Sequence, residues 1–249
     1  MSQELKWWLR GSFDEANVEV RWIESSRRIV PEVDRAIEEA WQRVTARPDV
    51  RLFDGPVGRC ESFAIHDGRL EIALSRSSYR IVVGTNFENP HLADTFGPDV
   101  MANPMGVSAG VLSVDGLLVL GKRNHRVAYY PNRVHPFAGS LEVRDEINLF
   151  DDVRRELAEE LRLTPADLQS MELVGIAEDL RMRHPETIYL VRTTRTASDL
   201  RRLMDPEEHR DLWTIPLPRA GDALNDPSLT PFAVAVVQAC LGTSIRAGV

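Results

Sequence analysis

Arg155, Glu156, Glu159 and Glu160 stand in the order R-E-x-x-E-E. Residues three and four apart share one face of a helix, so this spacing predicts carboxylates that converge. An oxygen-only donor set with no Cys or His suits Mg²⁺ or Mn²⁺ better than zinc, and an ion held there can hold phosphate. On the other side of the same stretch Leu149, Val153, Leu157 and Leu161 recur every four residues, an apolar stripe able to dock on a sheet. An acidic run by itself is most often a solvated helix face.

Gly139 followed by Arg155-Glu156-Leu157-x-Glu159-Glu160-x-x-Leu163 resembles the Nudix box, G-x5-E-x7-R-E-U-x-E-E-x-G-U with U a large aliphatic residue. That box is the loop-helix-loop that binds divalent metal in hydrolases of nucleoside diphosphates linked to another group. The chain departs from it in three places. Fifteen residues separate Gly139 from Arg155 where the pattern has thirteen. The early Glu falls on Asp145 counting forward and on Ile147 counting back, which leaves Asp145 and Glu146 as candidates. The closing Gly is Arg162, and a left-handed cap there costs a non-Gly residue ~1–2 kcal/mol. Thr164-Pro165 then stops the helix.

The resemblance implies Glu156, Glu159 and Glu160 as metal ligands with the Gly139 carbonyl as a further one. It implies Arg155 as the group that orients a carboxylate, and Glu160 or Glu159 as the activator of water. Further runs, Leu52-Phe53-Asp54-Gly55-Pro56, Ser78-Tyr79-Arg80, Gly84-Thr85-Asn86, Asn103-Pro104-Met105-Gly106-Val107 and Gly175-Ile176-Ala177, resemble those of mammalian Nudix hydrolases that split UDP-glucose and UDP-galactose. The implied reaction is Mg²⁺-dependent hydrolysis of a UDP-sugar to UMP and a sugar 1-phosphate. Tyr79 could stack on uracil, and Arg80 or Asn86 could hold phosphate or ribose. Competing readings are hydrolysis of another nucleoside diphosphate derivative such as ADP-ribose, and a Nudix-fold nucleotide-binding module without catalysis.

Net charge and length bound the rest. A charge of −8 disfavours nucleic acid as a partner, because counterion release needs a basic surface. Lys122, Arg123, His125, Arg126, Arg133 and His135 crowd into fourteen residues ahead of the box, and Arg123 and Arg126 are the candidates for phosphate or metal-shell contacts. No apolar run approaches the ~18 residues of a membrane span. The first ten residues lack the apolar core of a secretory signal, and Cys60 and Cys240 stand far apart without a C-x-x-C, so a cytoplasmic protein with reduced thiols is expected. Oligomeric state is not legible.

These residues need elements to position them. A helix is expected over Pro31–Arg47, with Val33, Ile37, Trp41 and Val44 inward. Strands follow over Leu52–Ser75, turning at His66-Asp67-Gly68-Arg69, and Ile81-Val82-Val83 reads as an apolar strand beside Tyr79. Residues Gly106–Leu112 and Leu117–Lys122 form a hairpin at Asp115-Gly116. A strand near His135–Gly139 delivers the chain to a helix from about Leu149 to Leu163. Strands near Leu173–Ile176, Thr187–Thr193 and Leu212–Ile215, a helix near Ser198–Met204 and a closing buried helix over Pro231–Leu241 complete the chain. Glu178 and Asp179 are expected in a solvated loop and are candidates for a separate base. The fold class is α/β, a Nudix α/β/α sandwich with a mixed sheet, in which residues 1–103 form an N-terminal α+β extension and 104–249 the hydrolase domain.

Overall fold

The structure, a computed structural model, describes residues 4–47, 52–127 and 129–246, the side chains of 243–246 excepted. Residues 1–3, part of the stretch read for a signal, and 247–249 lie outside the described residues.

The box helix α4 (Leu149–Leu161) explains the layer order. Its stripe Leu149, Val153, Leu157 and Leu161 is at most 1% exposed, and burying such side chains stabilises by roughly 1.5–3 kcal/mol each. It packs with Val107, Ala109 and Val111 of β5 (Gly106–Leu112) and with Tyr189 and Val191 of β10 (His184–Thr193). On the other side of the sheet, α6 (Pro231–Arg246) packs Phe232, Val236 and Val237 against Leu118, Ile188 and Leu190. The expected α/β/α sandwich follows from these two apolar contacts.

The larger sheet runs β1 (Leu5–Phe13), β9 (Leu168–Asp179), β10, β5, β6 (Leu117–Arg123), β11 (His209–Pro216). Short strands β7 (Val134–His135) and β8 (Phe137–Ser140) pair with β6 and β5. β10 and β5 are parallel and the other pairs antiparallel, so the sheet is mixed as expected. The short helix α5 (Ala197–Leu203) lies between β10 and β11.

Most of the N-terminal stretch forms a second, three-stranded sheet of β2 (Val18–Trp22), β4 (Arg69–Ser78) and β3 (Pro56–His66), and helix α1 (Pro31–Thr45). β1 is different: it is hydrogen-bonded along β9 and completes the edge of the larger sheet. The second sheet is docked on the loop entering α4. Trp22 Nε1–H donates to the Arg144 carbonyl at 2.7 Å, Arg76 pairs with Asp145 at 3.1 Å, and a Cβ on Gly58 would meet Leu141. The extra length between Gly139 and Arg155 is therefore spent on this contact.

Two local expectations are corrected. Ile81-Val82-Val83 is helical: α2 (Tyr79–Val82) runs on into a π-helical turn over Val83–Phe87, and a short α3 (Leu92–Phe96) follows. β-branched residues favour strands, but Gly84 lets this turn sit directly on α1, where an added Cβ would lie 2.6 Å from Ile37 Cα. Close packing overrides propensity. Glu178 and Asp179 are not in a solvated loop; they are the buried last residues of β9.

Arg162 adopts the left-handed conformation expected of the missing Gly, with φ 53° and ψ 28°. Its N–H donates to the Ala158 carbonyl at 3.1 Å, and that of Leu163 to Leu157 at 3.2 Å. This closes α4 despite the Cβ penalty. Arg162 is exposed, so Arg162→Gly removes strain and little else. The expected outcome is a gain of about 1 kcal/mol, read as a higher midpoint of thermal unfolding.

Candidate metal and phosphate site

The side of α4 away from its apolar stripe meets β8, and one glycine sets the distance. A Cβ on Gly139 would lie 1.7 Å from Glu156 Oε1, so the carboxylate occupies the space that any other residue would fill. Glu156 is only 8% exposed. Burial, with Glu160 and Glu159 nearby, pushes its carboxyl up to about 7, against the opposing pull of Arg155.

Arg155 braces the cluster. It contacts Glu156 at 2.7 Å, Glu142 at 3.3 Å, Glu159 at 3.4 Å and Asp152 at 3.6 Å, and it donates to the Ser140 carbonyl at 3.1 Å. Asp152 is buried and accepts from the Glu142 N–H. Glu160 accepts from the Ala138 N–H at 3.2 Å and is bonded to His209 Nε2 at 2.5 Å. His209 is buried and needs a glycine of its own, since a Cβ on Gly121 would stand 2.3 Å from its ring. Glu159 is the exposed member of the set.

Ala138, Glu156, Glu159, Glu160, Asp205 and Glu208 enclose a cavity of about 350 Å³. Among the described residues no three acidic, His or Cys side chains stand close enough to form a ready-made metal cage. Arg155 and His209 engage the carboxylates instead. The donors present fit a hard divalent ion nonetheless: they are oxygens around an open space, and Mg²⁺ keeps several of its waters and takes few protein ligands.

Two candidates for the early Glu do not reach this cluster. Asp145 is fully exposed on its ion pair with Arg76, and Glu146 is exposed. Glu142 and Asp152 contact Arg155 instead. Sequence reasoning also missed His209, Asp205 and Glu208, because they arrive from a loop and strand about fifty residues downstream. Only small Gly121 on the partner strand hinted at a large neighbour.

The substrate-binding candidates scatter. Tyr79 is half-buried, edge-on to Phe87 at 6.3 Å, and Phe87 lies 6.3 Å from Tyr129. Arg123 sits 5.9 Å over the Tyr129 ring, so these aromatics link Tyr79 to Arg123. Arg80 is exposed and paired with Glu38 and Asp54, and Arg126 is exposed. Asn86 is corrected: it is buried, both Nδ2 hydrogens go to the carbonyls of Met182 and Arg183, and its Oδ1 accepts from Thr85, so it has no donor for phosphate and no surface for ribose. Asp179 and Glu178 are likewise engaged, by Tyr130 at 2.7 Å and Trp8 at 2.9 Å. A different buried carboxyl, Glu186 on β10, is bonded to Ser108 and pushed up to about 8 by burial, with Asp179 and Glu156 adding to the effect.

No family model matches the chain. It is similar to the uridine diphosphate glucose pyrophosphatase NUDT22 of Homo sapiens, 30% identical over 187 residues, or 61% of this chain and 60% of that protein. The Mus musculus protein of that name is 30% identical over 184 residues, 61% of this chain and 58% of that protein. The chain thus spans about three fifths of the length of the curated relatives it matches. Among solved structures, the Nudix domain of Shewanella oneidensis NrtR with ADP ribose is 18% identical, with a TM-score of 0.44 over 63% of this chain and 98% of that one. The two pyrophosphatases bear out the resemblance drawn from the runs spread along the chain outside the box.

Gly139→Ala must drive Glu156 out of its place; the expected outcome is a loss of divalent-ion affinity of about tenfold or more, measured by calorimetric titration. Glu186 provides a pH test. Its folded value of about 8 lies above the ordinary 4.5, so the folded state binds a proton that the unfolded state releases. Its contribution to stability falls as pH rises through that window, by a few kcal/mol at about 1.4 per unit. Glu186→Gln should therefore gain stability over the parent between about pH 5 and pH 8, read as the difference in urea unfolding at the two pH values.

Proposed function

We propose that this Nudix-type hydrolase splits the diphosphate of a UDP-sugar, such as UDP-glucose or UDP-galactose, into UMP and the sugar 1-phosphate. The observation that carries the reading is the meeting of Glu156, Glu159 and Glu160 at one acidic cavity, with Gly139 and Arg155 set against Glu156, in a chain related to proteins named for UDP-glucose pyrophosphatase activity.

A divalent ion, Mg²⁺ or Mn²⁺, held by Glu156, Glu159 and Glu160 with the Gly139 carbonyl, would neutralise diphosphate oxygens that otherwise repel an incoming oxygen nucleophile. The chain's own groups prepare that site. Arg155, fixed on the Ser140 carbonyl, keeps Glu156 in line and favours its ionised form against burial. His209 and the Ala138 N–H give Glu160 two partners and a defined rotamer. Glu159 is exposed, with only weak contacts to Arg155, and is the carboxylate freest to take a proton from water. The water oxygen then bonds to phosphorus as the bridging P–O bond breaks. In this reading Tyr79 and Arg123 contact the nucleotide, while residues 1–103 supply part of its recognition.

No helix among the described residues is long and apolar enough to cross a membrane. Cys60 and Cys240 are both buried, in different parts of the core, and a cytoplasmic setting belongs to the same proposal. A binding module without catalysis is favoured by one observation, the engagement of Glu156 and Glu160 by Arg155 and His209 in place of a ready-made cage.

Phosphorus NMR of products after incubation with UDP-glucose, with ADP-ribose beside it and a metal-free blank, separates these readings. UMP and glucose 1-phosphate forming only with metal is the expected result. Binding of UDP-glucose without turnover would select the binding module, and turnover of ADP-ribose alone would change the substrate. Glu159→Gln and Glu160→Gln should each lower kcat by about 100-fold or more with folding unchanged; parent-like rates in both would remove the box from the mechanism.

A further inference from the structure

A second cavity, about 490 Å³, lies where β1 of the larger sheet meets β3 of the smaller one. Its size falls within the range of small-molecule sites, and such sites favour junctions between packed units. Trp8 from β1 and Phe63 from β3 line it, with ring planes 15° apart and centroids separated by 6.1 Å. The indole is held in orientation, because its Nε1–H donates to Glu178 Oε2 at 2.9 Å. Two near-parallel rings from different sheets therefore present a fixed aromatic surface inside an open, partly polar space.

The charges around it select the occupant. Arg59 and Glu61 pair with each other, their side chains 3% exposed, and Arg59 also donates to the carbonyls of Met101 and Asp99 at 3.3 Å. Arg183 pairs with Asp94 and lies 3.8 Å from Glu178. With Lys6 and Asp99 on the lining, carboxylates outnumber cations, so phosphate is disfavoured here. A flat ring without charge is favoured, with Ser62 and Asn103 as polar neighbours. From Gly139 on β8 the path across the sheet to Trp8 on β1 passes through β5, β10 and β9, four steps of ~4.8 Å or about 19 Å. That is too far for the base of a nucleotide whose diphosphate sits at the acidic cavity.

We propose that this cavity is a separate binding site for a neutral nucleoside, whose base stacks on Trp8 and Phe63. The site is independent of the hydrolase reading, since none of its residues belongs to the acidic cavity.

The test is calorimetric titration with uridine and with adenosine, without metal, on the full chain and on its Glu159→Gln and Phe63→Leu variants. At least one nucleoside should bind, equally to parent and Glu159→Gln, and about tenfold more weakly to Phe63→Leu, since base–aromatic stacking is worth roughly 1–3 kcal/mol. The monophosphate of that nucleoside should bind more weakly than the nucleoside itself. Phe63→Leu keeps an apolar side chain, and a thermal melt matching the parent's identifies it as folded; if it melts early, Ser62→Trp, which crowds the same space from the exposed side, takes its place with the same expected loss. Absence of binding by both nucleosides up to about 10 mM overturns the proposal, as does equal affinity in a folded variant. Displacement of the nucleoside by UDP-glucose and Mg²⁺ in Glu159→Gln would overturn its separateness.

Discussion

A carboxylate pressed onto a bare backbone is the contact on which the site depends. Glu156 sits where a side chain on Gly139 would be, and that closeness joins α4 to β8. It removes water from the carboxylate, raises its proton affinity, and makes Arg155 necessary as a nearby counter-charge. A buried charge that lost this partner would cost several kcal/mol, so the R-E pair is one unit. The same device recurs at Gly121, where the missing side chain admits the His209 ring that holds Glu160.

The orientation of α4 follows from the hydrophobic effect. Its leucine stripe is buried in the core shared by β5 and β10, which leaves the acidic face no direction but toward β8 and the cavity. The N-terminal stretch then steadies the entrance to that helix. Trp22 binds the Arg144 carbonyl, and Glu15 contacts both Asn148 and Arg154. Asn148 caps the first turn by accepting from Phe150 N–H at 2.9 Å. The extension therefore reaches the site through the loop and cap, apart from any contact it makes with substrate.

Much of this was legible in the chain. The four-residue recurrence of leucines, the R-E-x-x-E-E spacing and the Asp-Gly and Pro signals reproduce α4, both hairpins, α1 and the start of α6 to within a few residues. The end of the helix at Arg162 was also readable, but that Arg162 takes the left-handed cap in spite of its Cβ was decided by the structure, where the turn satisfies carbonyls that a helix end leaves unpaired. Ile81-Val82-Val83 misled, since β-branched residues describe local preference and the contact of Gly84 with α1 is not local.

By itself the sequence determined the acidic helix and its apolar face, because each depends on spacing within a few turns. Only tertiary structure decided which distant groups complete the site. His209 arrives beside Glu160 because β11 pairs with β6, Asp152 and Glu142 displace Asp145 because the loop is pulled onto the second sheet, and Asn86 is consumed by carbonyls of a loop nearly a hundred residues away. Strand pairing and buried hydrogen bonds join residues that no local periodicity relates.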